Sequence, residues 1–130
     1  MTRNALAGIL AIMKKLLFLI ALPLLSSPAR ATEDWEKLEA TYQVLNFIDL
    51  AQTDTCLRAK TCVELNPLLG KNPSTEKLIA FKLAGGVLHY IITKELVKST
   101  GPDSKEVKVW LYGSILVQGA VVGLNFRIIL

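Results

Sequence analysis

The sequence predicts an all-α protein, a small three-helix, membrane-associated bundle that follows a signal peptide. Three observations carry this. Apolar residues beyond position 33 recur at spacings of three and four. Two loops containing Pro and Gly divide that region into three segments. A basic, then apolar, then small-residue stretch occupies 1–31. A chain of 130 residues supports one small domain, and 52% hydrophobic residues is too many for a disordered tail. There are 15 Lys plus Arg against 11 Asp plus Glu. Arg3, Lys14, Lys15 and Arg30 account for the whole excess, so 32–130 is neutral and nucleic acid is not an expected partner.

The leader reads from Met13. Lys14-Lys15 forms a basic n-region, 16–25 an apolar h-region, and Ala29-x-Ala31 a small-residue cleavage site. The h-region is short for a span, which needs about 20 apolar residues. Pro23 and Pro28 break the helix ahead of the scissile bond. The expected division is therefore 1–31 as signal peptide and 32–130 as the helical domain, with translation starting at Met13. The competing reading is an uncleaved anchor over 5–25, with Lys14 and Lys15 in its interior at about 2.5–3.5 kcal/mol each near the bilayer centre. No cysteine lies near the site, which excludes lipid attachment there.

The first helix is expected over 33–57. Asp34 is its candidate N-cap, and Glu33, Glu36 and Glu39 suit the positive end of the helix dipole. Leu38, Tyr42 and Leu45 form one apolar strip, and Val44, Ile48 and Ala51 a second. Its uncharged stretch, 40–48, is short, so the helix is expected on protein or at the membrane surface rather than across it. A loop over 54–77 holds Cys56, Cys62 and the run Glu64-Leu65-Asn66-Pro67-Leu68-Leu69-Gly70. The second helix spans 75–98; Ser74 and Lys77 miss a capping box by one residue type, and Gly85-Gly86 predicts close packing. Thr100-Gly101-Pro102-Asp103 ends it.

The third helix begins at Val107. Its stretch 109–126 has 18 residues without charge and is the best transmembrane candidate beyond the leader. Gly119-x-x-x-Gly123 would admit a close helix partner, so self-association or an envelope protein partner is expected. Lys and Arg are balanced between the loop and the second turn and set no orientation. A Cys56–Cys62 disulfide would persist only in an oxidising compartment. That places the first helix and its loop outside, 98–108 inside and the carboxyl terminus outside. The expected location is the inner membrane with a periplasmic face, the alternative being a soluble periplasmic protein.

Asn46, Asp49, Gln52, Thr53, Glu64, Asn66, His89 and Asn125 form the expected polar cluster. Asn46, Asp49 and Thr53 share one helix face by spacing. Asp49 is expected to face inward and to pin the 64–70 loop through loop amides, Asn66 or Asn125. One histidine and two thiols are too few for a metal site, and no cofactor fingerprint or nucleophile motif occurs. No residue is assigned a catalytic role.

The runs Ile48-Asp49-x-x-Gln52-Thr53, Asn66-Pro67-Leu68-Leu69-Gly70, Pro73-Ser74, His89 and Gly123-x-Asn125 follow one another in an order that resembles small exported proteins encoded by tailed phages and prophages of Gram-negative bacteria. A weaker likeness is to bacterial membrane proteins with an Asp-x-x-x-Thr helix followed by Glu-x-Asn-Pro, matched here by Asp49, Thr53, Glu64, Asn66 and Pro67. Neither resemblance implies a reaction. The expected function is a structural or interaction role at the bacterial envelope rather than catalysis. The alternative is a small enzyme or ligand-binding protein with a site around Asp49, Glu64, Asn66 and His89.

Overall fold

The computed structural model describes residues 33–129 together with Ala11, Ile12, Lys14 and Lys15. The signal-peptide expectation, its cleavage site and Thr32 lie outside the described residues. Residues 33–129 contain three long helices, α1 (Asp34–Arg58), α2 (Thr75–Thr100) and α3 (Lys105–Ile129). The all-helical class is as the periodicity predicts, and among the described residues there is no strand.

The helix ends follow local chemistry. Glu33, not Asp34, is the N-cap of α1, and its side chain makes no capping bond; it is turned to the Trp35 indole instead. α1 closes in a Schellman motif. The Thr61 amide reaches the Cys56 carbonyl at 3.2 Å, and the Lys60 amide reaches Leu57 at 3.1 Å. Lys60 takes the left-handed position there, with φ of 59°, where glycine is usual. Ser74 caps α2 by accepting from the Lys77 amide at 3.2 Å, so half a capping box suffices. Gly101, with φ of 97°, ends α2, and Ser104 accepts from the Val107 amide at the start of α3.

Cross-helix bonds fix the directions. Going up α1, Glu39 meets His89 and Thr93, Asp49 meets Lys82, and Asp54 meets Thr75, so α2 runs antiparallel to α1. Trp35 packs with Val107 and Leu111, and Gln52 bonds to Val122, so α3 runs parallel to α1. The start of α1, the α2–α3 turn and the start of α3 therefore share one end. The 59–74 loop and the end of α3 share the other. α1 lies lengthwise along both partners, its bonding residues spread from 39 to 54, as expected of a helix packed on protein.

Apolar packing is confined to the two ends. Trp35, Val107 and Leu111 form one cluster, with Leu38, Leu96, Val97 and Trp110 against it. Leu57, Leu69 and Leu78 form the other, with Leu50, Cys62 and Phe81. Between them the interior is polar: Glu39, Asn46, Asp49, Gln52, His89 and Thr93 are all buried. The apolar side chains of this middle zone face outward instead. Leu83, Val87, Leu88 and Ile91 of α2 are exposed, as are Tyr112, Leu116, Val117 and Leu124 of α3. The stretch Lys105–Phe126 is long and apolar enough to cross a membrane, yet only 17% of its most apolar window is buried.

The adjacent glycines of α2 differ. A Cβ on Gly86 would stand 2.6 Å from Gln43 Oε1 and 3.2 Å from Asn46 Nδ2, while one on Gly85 would meet nothing within 4 Å. Of Gly119 and Gly123, only the first has a neighbour, Leu45 at 3.9 Å from its built Cβ. Gly86→Ala should cost about 1–2 kcal/mol, because Gln43 is already held by two bonds and must be displaced. Gly85→Ala should gain up to about 1 kcal/mol from helix propensity. Thermal unfolding of the two variants in detergent tests the contrast; equal shifts would refute the close α1–α2 approach.

Candidate functional site

The buried seam of α1 is built from alternating spacings of four and three. Trp35, Glu39, Tyr42, Asn46, Asp49, Thr53 and Cys56 fall on one face in that rhythm, the geometry by which a helix presents one line of side chains to its partners. All but the ends of this line are polar, or in the case of Tyr42 aromatic with a polar tip. α2 answers with Lys82, Gly86, His89 and Thr93, and α3 with Trp110, Gln118, Val122 and Asn125.

Two networks result. In the first, near the α2–α3 turn, Glu39 is the hub. It accepts from Thr93 Oγ1 at 2.7 Å and Gln43 Nε2 at 2.7 Å, and pairs with His89 Nδ1 at 3.0 Å. The His89 ring is stacked between Tyr42, centroids 3.6 Å apart, and Trp110, at 4.8 Å. Trp110 Nε1 donates to Thr93 Oγ1 at 2.9 Å. The ring is therefore fixed on both faces and at one nitrogen; its Nε2 has no partner.

In the second network Asp49 is the hub. Its Oδ1 accepts from Asn125 Nδ2 at 2.8 Å and from Thr53 Oγ1 at 3.3 Å. Its Oδ2 takes Gln118 Nε2 at 3.1 Å and the Lys82 ammonium. Four donors on three helices saturate an ionised carboxylate. Asn46 bonds to the Lys82 carbonyl at 3.1 Å and Gln43 to that of Gly86 at 2.9 Å, extending the α1–α2 contact between the hubs.

A cleft of about 250 Å³ opens beside the second network at the loop end. Its wall includes Asp49, Gln52, Thr53, Glu64, Lys82 and Asn125, the apolar Val63, Leu65 and Val121, and both cysteines. Cys56 and Cys62 are joined by a disulfide with Cα atoms 5.6 Å apart. The bridge and the Schellman turn bring 62–65 back over the end of α1.

Of the expected cluster, Asn46, Asp49, Gln52, Thr53 and Asn125 lie together, and Glu64 joins them at the cleft. Asn66 and His89 do not. Asn66 organises its own turn: its Oδ1 accepts from the Leu68 amide at 3.0 Å, its carbonyl from Leu69 and Gly70, and its amide bonds to Glu64. His89 belongs to the Glu39 network. The expectation that Asp49 pins the 64–70 loop is corrected. The loop is held by Arg58 on the Pro73 carbonyl, by Thr75 on Asp54 at 2.7 Å, by Lys77 on the Leu69 carbonyl at 2.9 Å, and by buried Leu69. Asp49 joins helices to one another. Glu39, Lys82, Gln43, Thr93, Trp110 and Gln118 were absent from the expected set; the four-three rhythm of polar residues on α1 is the signal that marks the first of them. Among the described residues no group of His, Cys, Asp and Glu is arranged to hold a metal ion.

Neither a known protein family, nor a curated protein, nor a solved structure matches this chain.

Asp49 is buried and Lys82 partly so, with side-chain exposures of 7% and 19%. Asp49→Ala should cost about 2–4 kcal/mol, since it strands a part-buried ammonium and three neutral donors. Adding Lys82→Met should recover a large part of that loss. Unfolding of the two single variants and the double variant in detergent gives the coupling; strict additivity would refute the hub.

Proposed function

We propose that this chain is an integral protein of the bacterial inner membrane, with a structural or interaction role at the envelope and the cysteine loop on the periplasmic face. The observation that carries the reading is the inverted middle zone of the bundle. Exposed aliphatic side chains on α2 and α3 surround a buried set of carboxylate, imidazole, hydroxyl and amide groups, with the Lys82 ammonium turned in towards it. In water such an exterior would be an aggregation hazard. In a bilayer it is the expected solvent-facing surface, and ionisable groups then turn inward and pair with one another. Each helix, at 25 or 26 residues, is long enough for a hydrocarbon core of about 30 Å. The low burial of the Lys105–Phe126 window favours lipid contact over the core of a water-soluble domain. The resemblance to exported phage and prophage proteins supports the envelope setting and adds no reaction.

Bundle geometry ties orientation to the leader. If all three helices cross, the start of α1 and the α2–α3 turn share one side and the disulfide loop takes the other. A periplasmic bridge with three crossings would then need α1 to start on the cytoplasmic side and the leader to be retained, against the cleavage expected from Ala29-x-Ala31. Release before Thr32 would instead put the start of α1 outside and the cysteines in the reducing cytosol. Bases do not arbitrate: Lys37, Lys94, Lys98, Lys105 and Lys108 mark one end, and Arg58, Lys60, Lys71, Lys77 and Arg127 the other.

Retention in the membrane pellet through an alkaline carbonate wash is the first expected outcome. Intact mass and thiol alkylation of that material are expected to give a retained leader and a bridged pair. A released leader with reduced thiols would keep the crossing and reverse its orientation. A released leader with a bridged pair would overturn the three-helix crossing and leave a periplasmic protein.

A further inference from the structure

The walls of the loop-end cleft are unbalanced in charge and in hydrogen bonding. Asp49 and Lys82 neutralise each other. Glu64 has no ion-pair partner among the described residues; its Oε1 accepts from the Asn66 amide at 2.8 Å, and its Oε2 accepts nothing. Gln52, only 7% exposed, donates to the Val122 carbonyl at 3.2 Å and leaves its Oε1 without a donor. Asn125 commits its amide N–H to Asp49, and its Oδ1, which is open to solvent, meets no donor among the described residues. The cleft thus offers one uncompensated negative charge and three spare acceptors. Its only cation is already engaged. A buried carbonyl with no donor is costly and calls for a partner.

The rest of the wall is apolar. Val63 and Leu65 stand on the loop, exposed at 58% and 87%, and Val121 lies on the outer side of α3. We infer that this cleft is a binding site for a primary alkylammonium group, with the ammonium on Glu64 and the amide oxygens of Gln52 and Asn125, and its aliphatic part against Val63, Leu65 and Val121. Three N–H bonds on one compact cation match three acceptors. A metal ion is a poorer match, since only Glu64 would bring an unengaged carboxylate. The same chemistry occurs in the ethanolamine headgroup of a phospholipid and in a free soluble amine. The site depends on the helix-and-loop geometry and not on membrane crossing, so a protein extracted by carbonate that still binds the amine would defeat the proposed location alone.

The test is calorimetric titration of the purified full chain in phosphatidylcholine nanodiscs at neutral pH with n-butylammonium. Saturable binding is expected. Tetramethylammonium, which has no N–H, and n-butanol, which has no charge, should bind at least roughly tenfold more weakly. Glu64→Gln keeps the acceptor for the Asn66 amide and should lower butylammonium affinity by a similar factor, with the melting temperature unchanged. Nanodiscs containing phosphatidylethanolamine should suppress the titration if the natural source is a lipid headgroup and leave it intact if the source is a soluble amine. Absence of saturable butylammonium binding together with no enrichment of phosphatidylethanolamine in lipid co-purified with the protein would overturn the inference. So would equal binding of tetramethylammonium by the native protein, which needs no variant to fold.

Discussion

The rest of the bundle depends on Asp49 being buried and fully bonded. A carboxylate with no partners in that position would be prohibitively costly. Here each oxygen takes two donors, drawn from Thr53 on its own helix, Lys82 on α2, and Gln118 and Asn125 on α3. The helices are therefore held in rotation as well as in distance. Sliding α2 by a turn would move Lys82 from Asp49, and rotating α3 would withdraw Gln118 and Asn125, which are seven residues apart on one face. Glu39 repeats the device nearer the α2–α3 turn, through Thr93 and His89. Two saturated carboxylates thus fix register, a role that uniform aliphatic packing fills poorly.

The inverted exterior follows from the same choice. With the seam occupied by polar groups, aliphatic side chains in the middle of α2 and α3 have nowhere inside to go. Apolar packing survives only where the seam gives way to Trp35, Val107 and Leu111 at one end and Leu57, Leu69 and Leu78 at the other. In hydrocarbon, helices gain nothing by exchanging lipid contact for leucine contact, so close approach and interhelical hydrogen bonds do the holding. Gly86 fits that account. It lets Gln43 reach its carbonyl and Asn46 reach that of Lys82, one turn away.

Element identity was legible because it rests on local chemistry. Pro, Gly and Ser marked the loops and helix limits fell within two residues of expectation, but the loop expected over 54–77 is confined to 59–74, because α1 continues through Cys56 to Arg58 and α2 begins at Thr75. The interior was less legible, since apolar strips are ordinarily taken as the inward face. On α1 the Leu38–Tyr42–Leu45 and Val44–Ile48–Ala51 strips are only half buried, and the polar line between them is the seam. Asp49 was recognised as inward because it interrupts apolar surroundings. Glu39 was not, because a carboxylate in the early turns of a helix is also what the helix dipole favours. Lys82 borders the uncharged run 83–93 of α2, and its position in sequence does not reveal that it turns in to Asp49. Asn66 pointed the wrong way: next to Pro it has a sufficient local occupation, and its turn uses every polar atom of its backbone. Thr53, by contrast, was placed beside Asp49 by helical spacing, and Asn125 was one of three partners the sequence left open for it.

The two networks are not equivalent in what they leave open. Around Glu39 the interior is closed by stacked Tyr42, His89 and Trp110 rings, and the residual vacancy is a single imidazole nitrogen. The stacked rings and the bonds of Glu39 tie α1 to α2 and α3, so the arrangement is architectural. Around Asp49 a cleft opens where the Cys56–Cys62 bridge and the turn at Lys60 carry the chain back over α1 instead of straight into α2. That detour leaves a polar wall unfilled at one end of an otherwise tightly bonded seam. A protein needing only a rigid span has no use for such an opening, and the 59–74 loop has enough buried anchors of its own, in Leu69 and Pro73, to have closed it. The opening, and not the hub beneath it, is where binding chemistry is available.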